Sequence, residues 1–500
     1  MAAGDDKTLI PHRVLFKTGG SVGHCVQWWM ASKLRASIPP VPFIDRDCMN
    51  YFVSPRQAIA GYRRLLSIDW VDMLLRVMIV VFLAALIYLA IEGKIYKPLL
   101  KAAVNREWAE ALLRPSVFWL AMGAIMLGFR TLLWFGYRPF VSVTKEEAPM
   151  LTVIIPAYNE GEMVGKTIDS VADADYPRDR LEIFVVDDGS RDDTWAYIEA
   201  AARRHPKLVT AIRFPHNRGK RAALEVGFRK ARGEIAVTID SDSVIEPQTL
   251  LAMAGPFRNP RIGAVAGKVA AYNRYQGVIP HMLHVRFILS FDMLRAAQST
   301  YGTVYCCPGA LSAYRLSVVR KVLDRWSNQT FLGVPCTYGE DRALTNFVLL
   351  EGYDTVYQQT AVVHTLVPTT YVKLSKMFLR WERSYLREEY TFLRRVLWRR
   401  PWRSRWIAFL DATMTNLRYP VIYATLAMLA ILVAQEPATL LRLLTVMGVM
   451  ATFYMLYYLR SERSTSFVYG VLYAYFSFFT LFWIPLYAMF TLKARSWMTR

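Results

Sequence analysis

A polar stretch bracketed by apolar spans most constrains what this chain can fold into. Residues 150 to about 370 contain no membrane-length apolar run. Apolar segments flank them at 73–91 and 116–137 on one side and at 419–434 and 438–459 on the other. Helices of this length suit a hydrocarbon core of about 30 Å. The polar stretch must therefore fold as a domain held beside a bilayer. Within it, the apolar run 235–239 ends on Asp240-Ser241-Asp242. Both carboxylates should emerge at the end of a buried strand. Spaced this way, they can share a hard divalent cation, which prefers oxygen ligands and bridges carboxylates to phosphate oxygens.

Just over half the residues are apolar and the formal net charge is +21. No zinc-finger spacing, RNP-like motif or basic low-complexity tail accompanies the charge, so nucleic acid is not the expected partner. Basic flanks facing anionic lipid explain it better, and an anionic substrate or product suits it too. The five cysteines (Cys25, Cys48, Cys306, Cys307 and Cys336) have no C-x-x-C spacing. That argues against a disulfide framework or structural zinc. Cys306 and Cys307 read as small buried hydrophobes. The first apolar span lies behind a polar segment and does not read as a cleavable leader.

Residues 1–70 form an N-terminal cytosolic or interfacial segment broken by Pro39, Pro40 and Pro42. Two transmembrane helices occupy 71–140. Arg76 and Arg130 interrupt them; Arg76 can snorkel, whereas Arg130 either snorkels or faces protein or a polar cavity. The domain at 150–370 alternates short apolar runs with helical patterns at 161–174 and 192–204, which predicts a mostly parallel sheet covered on both faces. Residues 371–405 carry eleven Lys/Arg against three Glu, interleaved with apolar side chains. Amphipathic helices at the membrane interface are expected there, over 371–418. Two transmembrane helices follow at 419–460. The segment 467–492 contains Pro485 and reads as interfacial or re-entrant. The loop between the first two spans carries Lys94, Lys97, Lys101, Arg106 and Arg114, against the positive-inside bias. It is nonetheless placed outside, because the polar domain must meet its donor in the cytosol.

Five motifs bear chemistry. Pro156-Ala157-Tyr158-Asn159-Glu160 follows the first strand of the domain, and Asp187-Asp188-Gly189-Ser190 the second. Ligands bind at the carboxyl ends of strands in an open parallel sheet. Tyr158 suits stacking on a base and Asp188 suits accepting from its ring N–H. Alone, each motif reads equally as a capped strand-to-helix turn. Asn217-Arg218-Gly219-Lys220-Arg221 offers close backbone approach and a cation, Lys220, for a diphosphate. In Asp240-Ser241-Asp242, Asp240 is placed on the sugar or nucleotide and Asp242 on Mg²⁺ or Mn²⁺. Gly339-Glu340-Asp341-Arg342 supplies a candidate general base, Asp341, with Arg342 to hold its charge. Arg380-Trp381 offers a phosphate-binding guanidinium and a platform for a sugar face.

In this order, the motifs resemble the processive, membrane-embedded family 2 glycosyltransferases: hyaluronan, chitin, cellulose and alginate synthases, with hyaluronan synthases the nearest. The segment 307–315, containing Gly309, resembles their acceptor site. Segment 339–346 resembles their base motif. Residues 493–500, with Trp497, Thr499 and Arg500, resemble their W-G-T-R gating segment. The resemblance implies a GT-A fold inserted between transmembrane helices, a cytosolic active site and a channel that exports the chain. It implies donor contacts from Pro156, Ala157, Tyr158, Glu160, Asp188, Lys220 and Asp240, and a metal on Asp242. It further implies base chemistry at Asp341, and acceptor or channel contacts from Gly309, Arg342, Arg380 and Trp381. Two positions depart from the family pattern: Met377 replaces the glutamine of Q-x-x-R-W, and Met498 the glycine of the gating segment. Methionine cannot make the glutamine's hydrogen bonds. A cytosolic gating segment needs an even number of crossings, so four full spans are expected, in the plasma membrane (the inner membrane of a bacterium). The expected partners are a nucleotide-sugar donor, the growing polysaccharide and the bilayer. A separate regulatory or export subunit is left open. The alternatives to a hyaluronan-like product are an alginate-, chitin- or glucan-type synthase, a non-processive transferase acting on a lipid carrier, and a degenerate domain serving as a scaffold.

Overall fold

The computed structural model describes residues 115–494 together with positions 81 and 88. The N-terminal segment 1–70, nearly all of the expected first span and the gating residues Trp497, Thr499 and Arg500 lie outside the described residues. Helices of eight residues or more are numbered below. The helix α1 (Pro115–Phe135) coincides with the expected second span. The polar domain then runs β1 (Leu151–Ala157), α2 (Met163–Ala172), β2 (Leu181–Asp187), α3 (Thr194–Arg204), β3 (Val209–Arg213), α4 (Lys220–Lys230) and β4 (Ile235–Thr238). Every position of β1, β2 and β4 is buried. That is why these strands read as continuous apolar runs: helices cover both faces.

The second half contains β5 (Ser243–Ile245), β6 (Ile262–Ala271), α5 (Val278–Leu289), β7 (Ser312–Arg315) and α6 (Leu316–Ser327). A small hairpin, β8 (Thr330–Phe331) with β9 (Val334–Pro335), precedes α7 (Glu340–Leu350) and β10 (Asp354–Thr365). The main sheet has the order β3-β2-β1-β4-β7-β6-β10-β5. From β3 to β4 it is parallel, as is the β6–β10 pair. β7 runs antiparallel between β4 and β6, and β5 antiparallel at the edge. β7 thus carries the segment after Gly309 back past the carboxyl end of β4. Phe228, Tyr314 and Trp326 pack edge to face beneath this point, joining α4, β7 and α6.

After β10 comes α8 (Tyr371–Thr391), a π-helical turn at Phe392–Val396 and a short helix at Leu397–Arg399. The helix α9 (Trp402–Gln435) has 34 residues, about 50 Å. This exceeds the hydrocarbon thickness. The expected interface stretch and span therefore form one continuous helix, with no boundary at residue 419 and with Pro420 inside it. Trp398, Trp402 and Trp406 are exposed around its start, as interfacial anchors are. Next are α10 (Ala438–Glu462), α11 (Phe467–Thr480) and α12 (Trp483–Phe490). Among the described residues, α9 and α10 are long and apolar enough to cross a membrane; α11 and α12 pass that test only as a pair, bent by 50°. Pro485 does not make this break. It sits in the first turn of α12, where its missing N–H is not needed.

Two polar networks tie the domain to these helices. Arg130 of α1 faces protein: its Nε donates to Asp411 of α9 at 3.0 Å, and its guanidinium reaches Thr415 at 2.6 Å. Lys268 of β6 lies 2.8 Å from both Asp292 and Glu462, the last residue of α10. The Tyr357 hydroxyl donates to Asp292 at 2.6 Å, and the Trp134 indole to its carbonyl at 2.8 Å.

Candidate active site

The loops after β1, β2 and β4 gather at the carboxyl edge of the sheet and are bound to one another. The Asp188 N–H donates to the Ala157 carbonyl at 2.8 Å. Asn159 N–H donates to Ser190 Oγ at 3.0 Å, and the N–H groups of Glu160 and Gly161 donate to Thr194 Oγ1. Ser241 Oγ donates to Glu160 at 2.9 Å, so the Glu160 carboxylate orients the loop that carries Asp240 and Asp242. Tyr158 stands half-buried on the same edge.

Asp188 has a more local role than its position in the sequence suggests. Its two oxygens accept the backbone N–H groups of Arg218 and Gly219, at 2.7 and 2.8 Å. Burial raises its pKa against these bonds. Asp188 thereby holds the turn that launches α4 and points Lys220 inward. Gly189, Ser190, Arg213, Phe214 and Asn217 line a cavity of about 460 Å³ on the loops after β2 and β3.

Pro156, Lys220, Asp240, Gly309, Glu340 and Asp341 line one cleft. The Lys220 ammonium is 2.5 Å from Asp240 and 2.9 Å from Glu340. Burial alone lowers its pKa, but the two carboxylates outweigh this and hold it above the usual lysine range. Asp341 Oδ2 accepts from Gly309 N–H at 3.2 Å, and the Cys306 thiol is 3.7 Å away. Burial and then the Glu340 charge raise the Asp341 pKa, with Lys220 opposing. A Cβ on Gly309 would meet Lys220 Nζ at 2.7 Å and Asp240 at 3.1 Å. The absence of a side chain here is what lets the acceptor segment close on the lysine. Gly339, at φ 73°, caps α7, and a Cβ there would collide with Ser384.

Asp242 Oδ1 accepts from Ser243 Oγ and Thr365 Oγ1, both at 3.1 Å. Burial and then the Asp240 charge push its pKa up to about 6. A carboxyl under this pressure is relieved by a nearby cation. The oxygen-only pair Asp240/Asp242 therefore fits Mg²⁺ or Mn²⁺. Among the described residues no cluster of three or more acidic, histidine or cysteine side chains forms a complete cage. Such an ion must draw its remaining ligands from substrate oxygens or water.

Arg342 favours the ionised form of Asp341 by its charge, after burial, Glu340 and Lys220. Only its backbone N–H touches Asp341, at 2.7 Å. Its guanidinium turns to the Tyr385 ring, 4.8 Å from the centroid, and lies 4.0 Å from Glu389. Consecutive residues of a helix lie about 100° apart around its axis, so adjacent side chains diverge. Arg380 has its pKa lowered by burial, against the charges of Glu340, Asp240, Asp341 and Asp242, which raise it. Trp381 is partly exposed against Phe378 and Phe287. Met377 is buried in the main core, which is where its thioether is tolerated. Tyr338 OH donates to the Ala494 carbonyl at 2.8 Å, and Arg383 donates to Thr491 Oγ1. The chain leading to the expected gating segment is therefore tied to the loop before α7. Sequence reasoning missed Glu340 as the second partner of Lys220. Its only signal was an acidic neighbour of Asp341.

Known proteins share these features. The family described as Glycosyl transferase family 2 matches residues 152–323. An N-acetylglucosaminyltransferase of Rhizobium meliloti (strain 1021) is 33% identical over 358 residues, 70% of this chain and 82% of the relative. A hyaluronan synthase of Streptococcus pyogenes is 32% identical over 371 residues, 73% of this chain and 86% of the relative. A mannosyltransferase from Pyrobaculum calidifontis, solved in complex with GDP-Man and Mn²⁺, superposes with a TM-score of 0.50 at 22% identity, over 73% of this chain and 99% of that one. This likeness shows the fold: a GT-A-type domain with a mostly parallel sheet. Identity near one third over more than four-fifths of the relatives settles the lineage: the chain belongs to glycosyltransferase family 2 and is a sugar-transferring enzyme.

Proposed function

We propose that this enzyme polymerises sugars from a nucleotide-sugar donor with inversion and exports the polysaccharide through its membrane helices, as a hyaluronan-synthase-like enzyme. The reading rests chiefly on Lys220. Its ammonium joins Asp240, on the donor side, to Glu340, the residue next to the candidate base. One cation thus links the two halves of a displacement reaction. Asp341 takes the proton from the acceptor hydroxyl. The freed oxygen pair attacks the anomeric carbon from the face opposite the diphosphate. The anomeric C–O bond breaks, the diphosphate leaves with that electron pair, and the configuration inverts. Lys220 and Arg380 neutralise the leaving group. Asp242, with Asp240, would hold Mg²⁺ or Mn²⁺, which offsets charge on the diphosphate when bound; the Mn²⁺ in the mannosyltransferase complex supports this assignment.

Pro156, Ala157, Tyr158, Glu160 and Asp188 shape the nucleotide side. Gly309 and Trp381 shape the acceptor side. The link between Tyr338 and Ala494 supports a gate in which Trp497, Thr499 and Arg500 close over the donor. The helices α9 and α10 and the bent pair α11–α12 support a multi-pass arrangement, and a cytosolic catalytic domain is the reading that brings the cleft to a nucleotide-sugar donor.

The relatives support a second reading. An N-acetylglucosaminyltransferase is as similar as a hyaluronan synthase, so a synthase using N-acetylglucosamine alone competes. The test is the purified protein in nanodiscs with Mg²⁺ or Mn²⁺ and labelled nucleotide sugars, singly and in pairs. Polymer only from UDP-GlcNAc together with UDP-GlcA is the expected result. Polymer from UDP-GlcNAc alone establishes the second reading. Donor hydrolysis or a short lipid-linked product without polymer overturns both.

A further inference from the structure

Most arginines around the acceptor side have an evident counterpart. Arg342 has Glu389, Arg387 has Glu388, and Arg400 has Asp354. Arg380 faces the catalytic carboxylates. Arg295 and Arg286 differ. Among the described residues neither has an acidic partner. Arg295 donates only to Ser290, at 2.8 Å to its hydroxyl and 3.3 Å to its carbonyl, and lies over the Phe291 ring. Its Nε is buried with no acceptor. Arg286 is held only by rings, 4.8 Å from the Phe378 centroid and 5.6 Å from that of Tyr473.

Desolvating a guanidinium without an anion, as at Arg295, is costly, and native structures seldom do it without function. The location is informative as well. Arg295 ends the π-helical turn Ser290–Arg295, a distortion common at functional sites. It lies in the field of Cys306, which adjoins Asp341. Arg286 shares Phe378 with Trp381. The two cations are nine residues apart on one helical run, about 13 Å of rise. Along this run Arg295 lies on the side of Cys306 and the base, and Arg286 on the side of Phe378 and the sugar platform. Burial lowers the Arg295 pKa and the charges of Arg342 and Arg286 add to this, with Cys306 and Cys307 opposing; an anion beside the unsatisfied Nε would relieve that pressure.

We propose that Arg295 and Arg286 bind carboxylates of an acidic acceptor chain, and that they select a uronate-containing polymer over a neutral one. Guanidinium groups match carboxylates in geometry and stay charged at every relevant pH. The proposal rests on the polymerase reading above and narrows it to acidic products.

The test is the affinity of the nanodisc-reconstituted protein for a hyaluronan tetrasaccharide and for its methyl ester. The ester keeps the shape and removes the charge. The unaltered protein should bind the free acid at least about tenfold more tightly. That ratio should fall towards one in Arg295→Gln and Arg286→Gln and stay high in Arg295→Lys. Equal affinity for the two probes, no binding of either, or a ratio unchanged in both glutamine variants overturns the proposal. If the unaltered protein makes a neutral homopolymer from UDP-GlcNAc alone, the hyaluronan-like reading falls and takes this inference with it. If it needs both donors but the ratio does not respond, only this inference falls.

Discussion

The donor edge and the acceptor edge of the cleft handle charge in opposite ways. On the donor edge, and where it meets the base motif, carboxylates crowd together. Asp240, Asp242, Glu340 and Asp341 converge on Lys220 and Arg380, and two of the acids are pushed above their usual range. On the acceptor edge, guanidinium groups lie among aromatic rings, and Arg286 and Arg295 have no acid among the described residues. One edge is short of cations and the other of anions. A divalent ion bound with the donor diphosphate brings its positive charge to the carboxylates of the first. An acidic polymer supplies negative charge to the second. The contrast teaches that each edge is completed by what it binds.

Removing the base is the severest way to break this comparison. Asp341→Asn should lower the polymerisation rate by about 10²–10⁴-fold, measured by incorporation of labelled sugar. Retained turnover would shift the base role to another group. Asp242→Asn comes next. A loss of about 10²–10³-fold is expected, with the remaining activity indifferent to Mg²⁺ or Mn²⁺ titration. An unchanged metal dependence would move the ion elsewhere. Gly309→Ala inserts a methyl against Lys220 and Asp240 and should cost about 10²-fold in kcat while the thermal transition stays in place.

The pH profile sharpens the donor side. Asp341 must be ionised to accept a proton, and its pKa is raised by burial and by Glu340. Activity should therefore be lost on acidification at a pH above the ordinary aspartate range. Glu340→Gln removes the like charge, so the acid limb of log kcat against pH should move to lower pH. A shift to higher pH would contradict the arrangement. The mildest catalytic effect belongs to the remote triad. Lys268→Met leaves Asp292 and Glu462 facing each other and should destabilise the protein by about 3 kcal/mol, read as a lowered thermal midpoint.

Much of the donor edge was legible in the sequence. The runs before Pro156, Asp187 and Asp240 are apolar because their strands are buried on both faces, and strand ends in such sheets are where ligands bind. That the segment 467–492 is broken was legible but not where: the break falls before Trp483 and Pro485 only begins the next helix. The pairing of the Arg342 guanidinium with Tyr385 and Glu389 was not legible, because adjacency in sequence is not adjacency in space on a helix. The unpaired state of Arg286 and Arg295 left no trace in the sequence, since a cation's lack of a partner is a property of the whole neighbourhood.

The sequence alone determined the α/β domain beside a membrane, the order of its strand-end motifs and the family that order resembles. Those follow from local hydrophobic periodicity and from chemistry confined to a few consecutive residues. Only the tertiary structure decided that Lys220 is shared by Asp240 and Glu340, that Asp188 holds the turn before α4, and that Arg286 and Arg295 have no acidic partner among the described residues. These contacts join residues 20 to 120 positions apart. Pairing between distant side chains depends on strand order and helix rotation, which no local pattern encodes.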